Sequence, residues 1–279
     1  MSTTLFKKNN LKVSKITTHN YSTSFSMGVR ILSKKYRDAI YAIYGFVRYA
    51  DEIVDTFFEY PQEDLFKEFV EETYKAIDRG ISMNPILDSF QWAVNTYGIE
   101  KEHIDTFLKS MEMDLHMQKY NQYEISEYID GSAEVVGLMC LRVFYYDDDE
   151  SYEKLKKPAR KLGEAFQKVN FLRDIKSDYV ERGRTYFPEI ITEDLNEQNK
   201  KKIEETISMD FKEAFMGIRA LRKEARLGVY LAYIYYLELF KRIQKVKPEQ
   251  LFQKRHSVPN TIKAWLLFKA FVANRTNIL

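Results

Sequence analysis

Residues 36–58 read YRDAIYAIYGFVRYADEIVDTFF. Ile40, Ile43, Tyr44 and Val47 recur at steps of three and four, the period of one helix face. The stretch then carries two carboxylates four apart, Asp51 and Asp55, which by the same rule share a face. Arg48 and Tyr44 extend that face by a turn or two. A lone Asp-x-x-x-Asp on a helix is more often a solvated face. Here the acids follow AIYAIYGFVRYA, which is not how an exposed helix looks. The stretch predicts a long, largely buried helix with acids on an inward face.

Working outward, residues 167–178 read QKVNFLRDIKSD. Gln167, Asn170, Asp174 and Asp178 fall at steps of three, four and four, one continuous stripe over three helical turns, with Arg173 beside it. Acids and amides are costly to bury unless something positive sits among them. Hard oxygen donors suit Mg²⁺, which keeps several waters and takes one or two carboxylates plus phosphate oxygens from a substrate. Two such stripes facing each other across a bundle would hold two or three Mg²⁺ ions, with Mn²⁺ able to substitute, and clamp a diphosphate. Arg48, Arg173, Ser22 and Ser24 could complete the phosphate contacts.

The rest of the chain reads as helix and short connection. Gly (10) and Pro (6) are scarce among 279 residues, which disfavours a turn-rich β protein. Segment 64–79 is amphipathic and stops at Gly80; segment 84–97 opens with Asn then Pro, a cap and a first-turn proline. Further helices are expected over 100–118, 124–146, 151–181, 197–226 and 228–245, and from about Pro259 onward. Loops are expected near 57–62, 146–151 and 183–198, none of them a domain linker. The expectation is one all-α domain over 1–279, with helices packed round a shared interior.

Composition narrows the function classes. The net charge is +2 and there is no basic stripe with interleaved aromatics, so nucleic acid is not an expected partner. Cys140 is the one cysteine and lies in VVGLMCLRVF, so it reads as a small core residue in a reducing, cytoplasmic setting rather than a catalytic thiol. MSTTLFKKNNLKV lacks the apolar run of a secretory signal. VYLAYIYYLELF is broken by Glu238 and falls short of the ~20 apolar residues a membrane span needs. His19, His103, His116 and His256 are scattered and read as structural or exposed. Twenty Tyr and 19 Phe are enough to line a deep apolar cavity as well as fill a core.

Four motifs in order resemble the squalene/phytoene synthase family, the head-to-head condensing isoprenoid synthases, over nearly the whole length. YSTSFS (21–26) is similar to the family's Ser-x-Ser-Phe diphosphate element, and YAIYGFVRYADEIVD (41–55) to its first aspartate-rich motif. YIDGSAEVVGLM (128–139) is similar to the central Tyr-x-x-x-x-Ala-x-x-Val-Gly motif, and FQKVNFLRDIKSDYVERGRTYFP (166–188) to the second aspartate-rich motif. GSAEVVGLM looks closest to the bacterial phytoene synthases.

The resemblance implies an isoprenoid-synthase bundle around a central apolar tunnel. It implies that Asp51 and Asp55 ligate Mg²⁺ from one side, and Asn170, Asp174 and Asp178 from the other. It implies that Tyr21, Ser22, Thr23, Ser24, Arg48, Gln167 and Arg173 hold diphosphate, and that Tyr44 and Tyr128 face the reacting carbons. Tyr235 is the best match to a further diphosphate-contacting tyrosine, with Tyr233 and Tyr236 as alternatives, and Arg255 matches a basic residue after it. The expected substrate is geranylgeranyl diphosphate, two molecules of which join through a cyclopropylcarbinyl diphosphate to phytoene. Farnesyl diphosphate, giving dehydrosqualene or squalene, is the alternative, and a non-catalytic assembly protein a remote one. Phytoene formation needs only proton loss, so NADPH is not expected. The oily product implies peripheral contact with the inner face of a membrane and hand-off to a phytoene desaturase.

Overall fold

The computed structural model describes residues 3–116, 119–181, 183–184, 186–187 and 195–275. Among them are thirteen α-helices. The first six are α1 (Thr4–Tyr21), α2 (Thr23–Ile31), α3 (Lys34–Thr56), α4 (Gln62–Arg79), α5 (Pro85–Tyr97) and α6 (Lys101–His116). Next come α7 (Gln122–Ile129), α8 (Val135–Phe144), α9 (Asp149–Ile175), α10 (Glu197–Ala220) and α11 (Lys223–Gln244). The short α12 (Pro248–Leu251) leads to α13 (Asn260–Arg275). The all-α expectation holds.

Local chemistry sets many of the ends. Asn84 accepts hydrogen bonds from the Ile86 and Leu87 amides, Pro85 fills the first helical position, and Gly98 closes α5 at φ +66°. Asn121 and Glu124 form a reciprocal capping box on α7.

Several features escaped the hydrophobic pattern, among them α2 and the break between α10 and α11, which falls at 221–222 rather than at 227. Helix α1 was not expected, because its buried positions are Asn10, Ser14, Thr17 and Thr18 rather than aliphatic residues. Its Asn10 amide donates to buried Asp88 of α5 at 2.8 Å. The expected single helix over 124–146 is instead α7 and α8 joined by a π turn, Asp130–Glu134. The expected helix over 151–181 likewise ends in a π turn, Lys176–Glu181. Turns of this kind recur at functional sites.

Three backbones crowd together at the first π turn. A Cβ on Gly131 would sit 1.8 Å from Ser110 Oγ and 2.4 Å from the Thr106 carbonyl of α6. A Cβ on Gly163 of α9 would sit 2.4 Å from the Ala133 carbonyl. Two apolar clusters flank this junction. One gathers round α3, α5, α6 and α8, with Phe46 stacked on Phe90 at 3.8 Å; the other gathers round α9, α10, α11 and α13. A cavity of about 870 Å³ is lined by residues of both.

Replacing Gly131 with Ala forces this crossing apart. Denaturant unfolding of the variant should show a loss of about 1–3 kcal/mol, the usual cost of overpacking.

Candidate active site

Helices α3 and α9 give the cavity its two ends. Along α3 the lining residues are Ile40, Ile43, Tyr44 and Val47, then Arg48, Asp51 and Asp55. Along α9 they run from Leu155 through Leu162 and Phe166 to Gln167, Asn170, Arg173 and Asp174, with Asp178 beyond on the π turn. That is roughly 28 Å of helix between Leu155 and Asp174, at about 1.5 Å per residue. Both helices are apolar early and polar late, so one end of the cavity is acidic and the other is oily. Leu32, Phe144 and Leu221 line the oily part.

The acids come with cations. Arg173 donates to Asp174 through Nε at 3.0 Å, and Arg255 Nε reaches the same carboxylate at 2.7 Å. Burial opposes ionisation of Asp174, yet the two arginines hold it below its ordinary value. Arg48 pairs with Glu52 and lies 4.0 Å from Asp51, and its guanidinium sits 4.3 Å from the centre of the Tyr21 ring. Its Nε is buried without a hydrogen-bond partner.

An unforeseen assembly closes the acidic end. Arg184 donates to Asp55 at 2.6 Å, to the Val54 carbonyl at 3.1 Å and to the Asp114 carbonyl at 2.9 Å. Its own amide donates to the Asp178 carbonyl at 2.7 Å. The Arg184 side chain thus ties α3 to α6, and its main-chain amide ties both to the end of the second acid stripe. The carboxylate of Asp114 accepts hydroxyl bonds from Tyr128 (2.7 Å), Tyr120 (2.8 Å) and Tyr186 (3.3 Å). Desolvation pushes Asp114 up to about 6, against the pull of Arg184. Burial also raises all three tyrosines, which keeps them neutral donors.

Most of the sequence-derived residues meet in this cavity. Tyr44, Arg48, Asp51, Asp55, Tyr128, Gln167, Asn170, Arg173, Asp174, Asp178 and Arg255 all line it. Tyr44 stacks on Phe25 at 4.8 Å, and burial pushes its hydroxyl up to about 12. Tyr21, Ser22, Thr23 and Ser24 are not among the lining residues; they stand at the junction of α1 and α2, where Tyr21 lies under the lining residue Arg48. There Ser22 caps α2 by accepting from the Phe25 amide at 3.2 Å, and Thr23 accepts from Lys263 at 3.1 Å.

Tyr235 does not line the cavity, whereas its neighbour Tyr236 does. Tyr236 donates to Asn170 at 3.2 Å and stacks on Phe166 at 3.9 Å. Tyr235 lies one helical step round, under Lys263, and Tyr233 packs among Phe211 and Phe215. Cys140 lies in the cavity wall, where burial pushes its thiol up to about 12 and favours the protonated form. No histidine lines the cavity.

Asp114 carried a faint sequence signal, since Phe107, Met111 and Asp114 share one stripe of α6 and an acid on an apolar stripe is out of place. Arg184 and Tyr186 had no periodic signal.

The donor set fits Mg²⁺. Among the described residues no three His, Cys, Asp or Glu side chains converge tightly enough to hold an ion by themselves. Oxygen donors facing a shared space instead suit an ion that keeps waters and takes phosphate oxygens. The orphaned Arg48 Nε is a ready donor to such an anion.

The squalene/phytoene synthase family model matches residues 18–261. The chain is 30% identical over 170 residues to the presqualene diphosphate synthase of Rhodopseudomonas palustris, covering 60% of this chain but 58% of that protein. It is 26% identical over 275 residues to the phytoene synthase of Arthrospira platensis, covering 90% and 88%. It superposes on a crystal structure of a dehydrosqualene synthase in complex with ligand, with TM-score 0.82 over 99% of this chain and 100% of that one. At 18% identity that is a likeness of fold.

Two measurements check the closure. Arg184→Gln leaves Asp55 and Asp114 without this counter-ion, and unfolding free energy should fall by about 3 kcal/mol. For Asp114 the sign follows from its raised value. The folded carboxyl keeps a proton that the unfolded chain releases near 3.8, so its stabilisation is full below that pH and lost as pH rises through about 6. Calorimetry of metal-free protein between pH 4 and 7 should show a falling Tm relative to Asp114→Asn, in which that slope is absent.

Proposed function

The chain belongs to the squalene/phytoene synthase family, and on that footing we propose that it is a Mg²⁺-dependent prenyltransferase joining two prenyl diphosphates head to head. The observation that carries this is the two facing acid stripes at one end of a long apolar cavity, with arginines among them. We propose geranylgeranyl diphosphate as the substrate and phytoene as the product, through the cyclopropylcarbinyl diphosphate, with residues 1–279 acting as one domain.

Asp51 and Asp55 on α3, and Asn170, Asp174 and Asp178 opposite, would hold Mg²⁺. When bound, Mg²⁺ supplies the charge that neutralises a leaving diphosphate. Arg48, Arg173 and Arg255 would donate to phosphate oxygens with Gln167 beside them, and the Tyr21–Ser24 junction stands behind Arg48 rather than in the cavity wall. The oily wall excludes water, which would quench an allylic cation. Tyr44 and Tyr128 present aromatic faces to that cation, and the bond from Tyr128 to Asp114 fixes its ring.

We also propose a reducing, cytoplasmic setting, peripheral contact with the inner face of the membrane, and hand-off of product to a desaturase. No described helix is long and apolar enough to cross a membrane.

A second reading uses farnesyl diphosphate. It is favoured by 28% identity over 192 residues to the 4,4'-diapophytoene synthase of Staphylococcus haemolyticus. Product analysis separates the two. Purified protein with geranylgeranyl diphosphate and Mg²⁺ should give a C40 hydrocarbon without NADPH. A C30 product from farnesyl diphosphate alone overturns the substrate, and NADPH dependence points to squalene. Asp51→Asn and Asp174→Asn should each lower turnover by about 10²-fold or more, with far-ultraviolet circular dichroism unchanged. Wild-type rates in both would sink the metal assignment and leave a non-catalytic assembly role.

A further inference from the structure

Helix α13 is apolar on both sides. Leu266 and Ala270 are buried against the cluster that includes α11, and Ile262 packs partly into it. The opposite side should be polar in a helix facing water. Instead it carries Trp265 at 61% exposure, Phe268 at 58% and Phe271 at 55%, with Leu267 beside them. Trp265 and Phe268 stack on each other at 5.7 Å. At 3.6 residues per turn, Lys263 and Lys269 fall on the two borders between the faces. Exposed apolar area on this scale marks an interaction site.

Charge identifies what covers it. Residues 241–275 hold nine Lys and Arg against one acid, Glu249; with Arg255 turned to Asp174 and Arg242 paired to Glu238, seven others remain in a chain of net +2. A symmetric dimer through α13 would press two such segments together, and like charges facing each other oppose association. An anionic lipid surface satisfies both properties at once. Trp and Phe enter the headgroup boundary while lysines flank them and reach the phosphates. Basic residues near an anionic leaflet each add about 1 kcal/mol to binding.

We propose that α13, with the basic segment leading into it, is the element by which this protein docks on anionic membrane. The location relates to the cavity. Helix α13 packs on α11, whose Gly228, Val229 and Ala232 line the cavity, and Lys263 in its first turns reaches Thr23 beside the polar end. Docking through α13 therefore sets the cavity one helix thickness from lipid. Its purpose, delivery of an oily product, rests on the function proposed above, whereas the docking itself is read without turnover.

The chain has two tryptophans, so Trp92→Phe leaves Trp265 as the sole reporter. The full chain carrying that change is mixed with vesicles of phosphatidylglycerol and phosphatidylcholine, or of phosphatidylcholine alone. Docking predicts a blue shift of Trp265 emission and quenching by brominated lipid with anionic vesicles, and sedimentation with them that weakens as salt is raised. The triple variant Trp265→Gln, Phe268→Gln, Phe271→Gln should sediment at least tenfold less. In detergent its turnover should match wild type. Unshifted Trp265 emission, equal binding to neutral vesicles, or a dimer in light scattering that the triple variant dissolves would each overturn the proposal. Vesicle binding by a protein that turns over no prenyl diphosphate would leave docking intact and remove the proposed function instead.

Discussion

Carboxylates cannot be gathered at the end of an apolar cavity without cations to offset them. That requirement organises the acidic end of this molecule. Asp174 has Arg173 and Arg255, Asp51 has Arg48, and Asp55 has Arg184. Arg48 and Arg173 lie on the helices that carry the acids, and Arg255 comes from the segment between α12 and α13. Arg184 is different, because it arrives from the segment after the second acid stripe and reaches back across to α3 and α6. Its position makes the two halves of the site one electrostatic unit.

Much of this was legible in the sequence, for a definite reason. An α-helix fixes which residues share a face, so Asp51 with Asp55, and Gln167 with Asn170 and Asp174, could be grouped before any coordinates. What the helical period does not encode was missed. Helix α1 buries Ser and Thr where the period looks for Leu and Ile. The first π turn brings Gly131 against α6 and Ala133 against Gly163, contacts between backbones far apart in sequence. The Asp114–Tyr120–Tyr128–Tyr186 group joins residues up to 72 positions apart through side chains of no fixed spacing. The choice between Tyr235 and Tyr236 turned on a single 100° step, too fine for a pattern with loose register.

Helices α3 and α9 each run from the oily part of the cavity to its polar end, which couples shape to charge. Displacing α9 along its axis would move the apolar wall and the acids together. The close packing of Gly163 on the Ala133 carbonyl and the placement of Pro158 against Gly217 resist such sliding, since neither contact leaves room for a side chain.

The resident arginines have a further consequence for the order of assembly. Where a small domain is organised only round its metal, folding is coupled to the ion. Here Arg184, Arg173 and Arg255 already compensate the carboxylates, so the chain can fold before any divalent cation arrives. The same pairs compete with an incoming ion for those oxygens. A free cation therefore gains little by entering alone, whereas one escorted by a polyphosphate group gives the arginines a new partner as it takes their old one. With the metal site proposed above, these salt bridges would favour joint entry of ion and substrate over either by itself.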